Sequence, residues 1–141
     1  MNAVNQAASR PQNRILTIAL WVVQVLLAAF FIMSAFMKLT TPADQLAASM
    51  PWTAGNGTLV VFTGLVDLAG GLGILLPAVT RILPRLTVLA ALGLVVLQVL
   101  ALAFHISRGE FAMAPMNLGL IALSAFVLWG RGKAAPISPR G

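Results

Sequence analysis

Four long apolar runs take up most of this chain, and they limit its fold more than any other feature. The first, Ile15 to Met37, has 23 residues without a charge, and as an α-helix it would be about 34 Å long, enough to cross a bilayer. Three further runs cover about residues 58–76, 86–106 and 111–129. The sequence therefore predicts an all-α membrane protein, a four-transmembrane-helix bundle over residues 15–129.

Composition supports this prediction. Of 141 residues, 60% are hydrophobic and 9% are charged, and the mean hydropathy is +0.96. A soluble domain of this size could not hide so much apolar surface. A net charge of +6 would suggest nucleic acid in a polar protein. Here the basic residues lie between apolar runs, so we expect a lipid bilayer as the partner and no nucleic acid.

The basic residues also predict an orientation. Seven of the nine lysines and arginines fall in the two termini and the link between the second and third runs, whereas Lys38 and Arg108 lie in the other loops. Cytoplasmic loops are enriched in such residues, so we expect both termini to be cytoplasmic, in the inner membrane. Residues 1–14 are then a disordered cytoplasmic tail, and residues 130–141 form a second cytoplasmic tail.

Two connecting features follow from proline positions. The segment Thr41-Pro42-Ala43-Asp44 is typical of a helix start, with Thr41 as the N-cap, and predicts a short interfacial helix over about residues 42–49. Pro77 is expected to close the second transmembrane helix.

Asp67 is the only carboxylate inside an apolar run. Placing a charge at membrane depth costs about 2.5–3.5 kcal/mol on insertion scales, so such a residue is a functional-site hypothesis by default. Gly64, Gly70 and Gly71 lie one turn away on the same helix face, where small residues let a neighbouring helix approach.

In each of the other three helices, polar side chains recur at a spacing of seven or fourteen residues, which places them on one stripe. Residue counts give the depth of these polar side chains in the bilayer, and side chains lean toward the N-terminus of their helix. Together these two estimates predict that the polar groups converge on a pocket in the outer half of the bundle. Gln98 is the expected hydrogen-bond partner of Asp67, and Lys38 is the charge that could reach it. The alternatives are a structural clamp for Asp67 and an interfacial location for Lys38 and His105. The predicted ligand-binding residues are Lys38, Asp67, Gln98, His105 and Asn117.

Several kinds of site are excluded or disfavoured. The chain has no cysteine and one histidine, which excludes disulfides, thiolate chemistry and bis-His haem ligation within one protomer. Every methionine except Met1 falls in the outer half or its loops. Thioethers can bind Cu(I), but soft gap-filling is the simpler explanation, so no metal site is predicted.

A set of short motifs, in order and spacing, resembles the DoxX-like family of small four-helix membrane proteins over the whole chain after residue 14. These motifs are Ser34-Ala-Phe-Met-Lys38-Leu39, Gly64-Leu-Val-Asp67 through Pro77, Phe104-His105 with Arg108-Gly109-Glu110, Asn117, and Gly130-Arg131. The family often has glutamate at the position of Asp67 and glycine at that of Ala35, and the shorter carboxylate reaches less far. The resemblance implies a four-helix inner-membrane protein, and the family name links it to a membrane subunit of a quinone-reducing, sulfur-oxidising enzyme.

Three functions stay open from the sequence. The leading hypothesis is an accessory or anchoring subunit of a quinone-linked redox system, with a redox-protein partner or a second copy of the chain as candidate partners. A quinone is the candidate ligand, because its carbonyl groups need donors such as those of Lys38, Gln98, His105 and Asn117. The alternatives are a small-solute or proton permease that uses Asp67, and a structural membrane partner without a ligand.

Overall fold

The structure, a computed structural model, describes residues 13–140. Of the predicted N-terminal tail, residues 1–12 lie outside this range. The described residues contain no strand and form five α-helices. Four helical segments are long and apolar enough to span a membrane, the fourth being Phe111–Ala134 with the turns at either end of its α-helix, which confirms the all-α, four-helix prediction. The helices are α1 (Arg14–Thr40), α2 (Ala43–Ser49), α3 (Gly57–Thr80), α4 (Arg85–Ser107) and α5 (Ala114–Trp129).

The four long helices form an antiparallel bundle. Helix α1 packs on α3, α3 on α4 and α4 on α5, and α5 also contacts α1. The core is built from side chains such as Leu27, Phe31, Ile74, Leu94 and Val127. The outward faces carry large exposed apolar side chains along all four helices, as expected for helices surrounded by lipid.

The bundle has two ends with different chemistry. The tail end holds the start of α1, the α3–α4 link and the residues after α5. The loop end holds the α1–α3 connection, with α2 and a 3₁₀ turn at Pro51–Thr53, and the α4–α5 turn, which contains a second 3₁₀ turn at Phe111–Met113. Leu46, Trp52 and Val60 form a small apolar cluster there, which fixes the long connection against the bundle.

Two predicted helix ends are wrong. Pro77 does not close the second transmembrane helix, because α3 continues to Thr80 and ends at Arg81, which has a left-handed φ of 58°. A proline removes one backbone N–H, but the helix resumes around this single loss. Thr41 does not cap α2: its N–H donates to Met37 O and ends α1, and Pro42 takes the N-cap position without a side-chain bond.

The chain after α5 differs from the predicted polar tail. Gly130–Ala134 continues α5 as a π-helical turn, and Arg131 within it is buried. Farther along, Arg81 Nε donates to Ser138 O over 2.9 Å, and Arg140 N–H donates to Arg81 O over 2.8 Å. These bonds fold the C-terminal segment back across the tail end.

Gly71 lies at a close approach of α3 to α1. A Cβ added there would lie 2.9 Å from Ile32 Cγ1, 3.2 Å from Ile32 N and 3.3 Å from Ala28 O. Two of these three atoms are backbone atoms of α1, so the neighbouring helix itself would have to move. Small residues commonly permit such close packing between membrane helices.

We therefore expect Gly71→Ala to lower the free energy of unfolding by about 1–3 kcal/mol, the usual cost of overpacking. Gly119→Ala is the matched control, because Gly119 is exposed on α5 and an added Cβ meets nothing within 4 Å. The measurement is equilibrium unfolding in detergent micelles. Equal destabilisation by the two variants would contradict the assigned close approach.

Candidate functional site

Asp67 is paired inside the bundle. Its Oδ2 atom accepts hydrogen bonds from Ser34 Oγ at 2.9 Å and from Lys38 Nζ at 2.8 Å. The Lys38 and Asp67 side chains are only 11% and 3% exposed. Ser34 and Lys38 are four residues apart, so one face of α1 presents both donors to α3. Gly64 lies one turn before Asp67 and leaves room for the stem of Lys38, since an added Cβ would be 3.2 Å from Lys38 Cβ.

An aromatic group adjoins this ion pair. Lys38 Nζ lies 5.4 Å from the centroid of the Trp52 ring, a cation–π distance. Trp52 in turn meets the rings of Phe104 and His105 edge to face, at centroid distances of 6.0 and 6.2 Å. The 3₁₀ turn that carries Trp52 thus connects the end of α1 with the end of α4. We call Ser34, Lys38, Trp52, Asp67, Phe104 and His105 the loop-end cluster.

His105 has an unused polar atom. Its Nδ1 atom is buried and has no hydrogen-bond partner among residues 13–140. Glu110 Oε1 lies 3.5 Å from it, which is long for a hydrogen bond. Glu110 is engaged instead by Arg108 Nε at 2.6 Å. That hydrogen bond holds the pKa of the Glu110 carboxyl below its usual range, so Glu110 is ionised at neutral pH.

Gln98 and Asn117 pair with each other. Asn117 Nδ2 donates to Gln98 Oε1 over 2.9 Å, and both residues are buried. The expectation that Gln98 bonds to Asp67 is therefore wrong: Asp67 turns to α1, whereas Gln98 bonds to α5. Asn117 Oδ1 is buried and has no partner in the described part of the chain, so one hydrogen-bond acceptor of this pair is unused there.

This pair joins α4 to α5, and its removal should have a modest cost. We expect Asn117→Ala to lower the free energy of unfolding by about 0.6–1.7 kcal/mol, the range for hydrogen bonds between membrane helices. Ser124→Ala is the control on the same helix, because Ser124 Oγ is buried and has no partner among the described residues. Thermal unfolding should separate them, and an Asn117→Ala variant as stable as the control would contradict the pair.

The predicted five residues thus form two groups. Lys38, Asp67 and His105 belong to the loop-end cluster, and Gln98 with Asn117 forms the α4–α5 pair. Two shallow surface hollows, of about 460 and 490 Å³, lie beside the start of α3 between Gly55 and Leu65, and none of the five lines either hollow. Sequence reasoning missed Ser34, Trp52 and Phe104 as site members. The i, i+4 spacing of Ser34 and Lys38 was the available signal for the first.

A second polar group lies toward the tail end. Gln24 Nε2 donates to Ile74 O over 2.8 Å, and Gln24 Oε1 accepts from Arg131 Nε at 2.7 Å. The Arg131 guanidinium lies 4.9 Å from the Trp21 ring centroid, and its Nη1 donates to Ala135 O over 3.1 Å. Arg131 is only 4% exposed. This group ties α1 to α3 and to the π-helical turn after α5.

A comparison with protein families decides the identity. A family model described as the DoxX-like family matches residues 22–127. The chain belongs to the DoxX-like family. This confirms the resemblance seen in the sequence, and with four apolar helices it makes this DoxX-like chain an integral, multi-pass membrane protein. Comparisons with curated proteins and with solved structures found no match.

Proposed function

We propose that this DoxX-like protein is an accessory or anchoring subunit of a quinone-linked redox system, and that its loop-end cluster binds the quinone headgroup. The observation that carries the proposal is the buried Nδ1 of His105, which makes no hydrogen bond within residues 13–140. Trp52 links this side chain to the Lys38–Asp67 ion pair. Buried polar atoms are normally satisfied, and each exception needs an explanation. A ligand that bonds to His105 Nδ1 explains this one.

The chemistry of the cluster suits a quinone. A quinone headgroup is flat and apolar, with two carbonyl oxygens that accept hydrogen bonds. Trp52 and Phe104 offer aromatic faces, and His105 and Lys38 offer donors. Asp67 holds the Lys38 ammonium in place at 2.8 Å, so the donor is oriented before a ligand arrives. The isoprenoid tail of a quinone would lie among the apolar outer faces of the helices.

The chain's own role is then to bind and orient the headgroup. It has no cysteine and a single histidine, so a redox-protein partner supplies the electrons in this proposal.

The loop end faces the outside of the inner membrane, because the tail end carries most of the basic side chains. Single cysteines introduced at Ser138 and Ala48 test this orientation: an impermeant maleimide should label only the second in intact cells.

Binding of a short-chain quinone to the full-length protein in lipid nanodiscs tests the proposal. His105→Phe keeps a ring and removes Nδ1, and we expect it to weaken binding about tenfold, the equivalent of one lost hydrogen bond of about 1.4 kcal/mol. Ser124→Ala should bind like the wild type. If Asp67→Asn and His105→Phe both bind as tightly as the wild type, the site is wrong.

A second candidate, a structural membrane partner without a ligand, is favoured by the closed ion pair, since Asp67 already has two internal donors. It predicts no quinone binding, with the Asp67 and His105 variants changing stability alone. The permease hypothesis instead requires Asp67 to leave Lys38 during transport. Solute or proton flux in proteoliposomes that Asp67→Asn abolishes would support it.

A further inference from the structure

Arg131 is a buried cation that pairs with no acidic side chain among residues 13–140. The chain has three acidic residues in all. Asp44 and Glu110 lie in the connections at the loop end, and Asp67 is bonded to Lys38 and Ser34. No acidic side chain is therefore available to Arg131. Arginine stays protonated in proteins, and a buried charge is costly unless it is paired.

One of the three guanidinium nitrogens of Arg131 makes no hydrogen bond within the described part of the chain. Nε and Nη1 donate to neutral oxygens, those of Gln24 and Ala135. Nη2 is buried and has no partner among residues 13–140. The Trp21 ring at 4.9 Å offsets part of the charge through a cation–π interaction, but it supplies no acceptor for Nη2.

All the charged side chains described at the tail end, where Arg131 lies, are basic. Six basic residues of the described chain lie at the tail end, and no acidic residue accompanies them: Arg14, Arg81, Arg85, Arg131, Lys133 and Arg140. Such a concentration of like charge raises the local concentration of anions. Basic sites at the ends of membrane helices commonly hold the headgroups of anionic lipids.

We propose that the tail end is a binding site for a phosphate group, with Arg131 as its centre. A phosphate oxygen bonded to Nη2 supplies both the missing acceptor and the missing negative charge, and the planar guanidinium suits this chemistry. Lys133 and Arg140, which are exposed, add positive charge at the same end of the bundle. Two sources carry this group, the headgroup of an anionic phospholipid and free inorganic phosphate. This site is separate from the loop-end cluster and does not depend on quinone binding.

The first arm of the test measures which lipid stays bound to full-length protein in native mass spectrometry. The protein is purified in detergent with equimolar phosphatidylglycerol and phosphatidylcholine. We expect the wild type to retain phosphatidylglycerol about tenfold more often than phosphatidylcholine, and Arg131→Gln to lose this preference. Arg108→Gln, which removes one positive charge at the loop end, is the matched control and should keep it. Equal retention of the two lipids by the wild type, in the absence of a response to phosphate, would overturn the proposal.

The second arm distinguishes the two sources. Lipid-free protein is heated in potassium phosphate and in potassium chloride of equal ionic strength. A higher Tm in phosphate, lost in Arg131→Gln, supports a site that takes free phosphate; no difference, together with retained phosphatidylglycerol, assigns the site to the lipid. If Arg131→Gln does not fold, the double variant Lys133→Gln/Arg140→Gln replaces it, with a reduced preference expected. An unchanged preference in whichever variant is measured would contradict the proposal.

Discussion

Replacing Lys38 with methionine should lower the free energy of unfolding by about 3–5 kcal/mol, the usual cost of removing one partner from a buried ion pair. Asp67 would keep only the Ser34 hydroxyl as a donor, with its side chain 3% exposed. Methionine retains the length of the lysine stem, so contacts such as that with Gly64 are preserved and the change is mainly one of charge. Equilibrium unfolding in detergent micelles measures the effect.

The double variant Lys38→Met/Asp67→Asn is the control for this prediction. Replacing both partners removes the uncompensated charge, and such replacements are commonly close to neutral. We expect the double variant to recover most of the stability that Lys38→Met loses. A double variant whose loss equals the sum of the two single losses would show that the two groups do not interact.

Arg131→Ala should be the second most damaging change, with a loss of about 2–3 kcal/mol when anionic lipid is present. It removes a hydrogen bond to a charged group and leaves the buried Gln24 Oε1 atom without its 2.7 Å donor. It also removes the guanidinium that bonds to Ala135 O, just after the π-helical turn, and that packs on Trp21. Thermal unfolding of the protein in vesicles that contain phosphatidylglycerol measures the loss.

Two controls accompany this prediction. Lys133→Ala changes an exposed cation two residues away, and we expect it to alter stability by less than about 0.5 kcal/mol. The double variant Gln24→Leu/Arg131→Leu replaces both polar partners with apolar side chains, which is often nearly neutral. A Lys133→Ala loss as large as that of Arg131→Ala would contradict the assigned contact.

The number and positions of the long helices could be predicted from the sequence, because the bilayer sets the length and the apolar character that each span must have. A span needs about 20 apolar residues, and the intervening prolines, glycines and charges separate the runs. The exact residues at which the helices end could not be predicted in this way. Pro77 was expected to end a helix because it lacks an N–H, yet a chain surrounded by lipid gains from keeping its other backbone groups bonded within the helix.

The partners of Asp67 show where sequence reasoning reaches its limit. Helical spacing predicts which residues share a face, and residue counts predict their depth. Neither tells which neighbouring helix that face meets. Gln98 matched Asp67 in depth but bonds to α5, whereas Asp67 faces α1, where Ser34 and Lys38 provide two donors.

Arg131 shows a different limit. In the sequence it follows the last apolar run, and like the other cations of the termini it indicates which side of the membrane is cytoplasmic. The structure extends α5 by a π-helical turn, and this carries Arg131 onto Gln24, 107 positions away. A contact so distant in sequence has no local signature. The structure shows that the glycine before the arginine is closely packed, because a Cβ on Gly130 would collide with Leu20.

Photo-crosslinking with a quinone analogue is the most direct test of the loop-end cluster as a quinone site. The protein in nanodiscs is labelled with an azido-quinone, and the modified peptide is identified by mass spectrometry. The proposal predicts a label on the segment that contains Trp52 or on the one that contains Phe104 and His105, displaced by excess unlabelled quinone and lost in His105→Phe. A label confined to the tail end, or one that excess quinone does not displace, would contradict it.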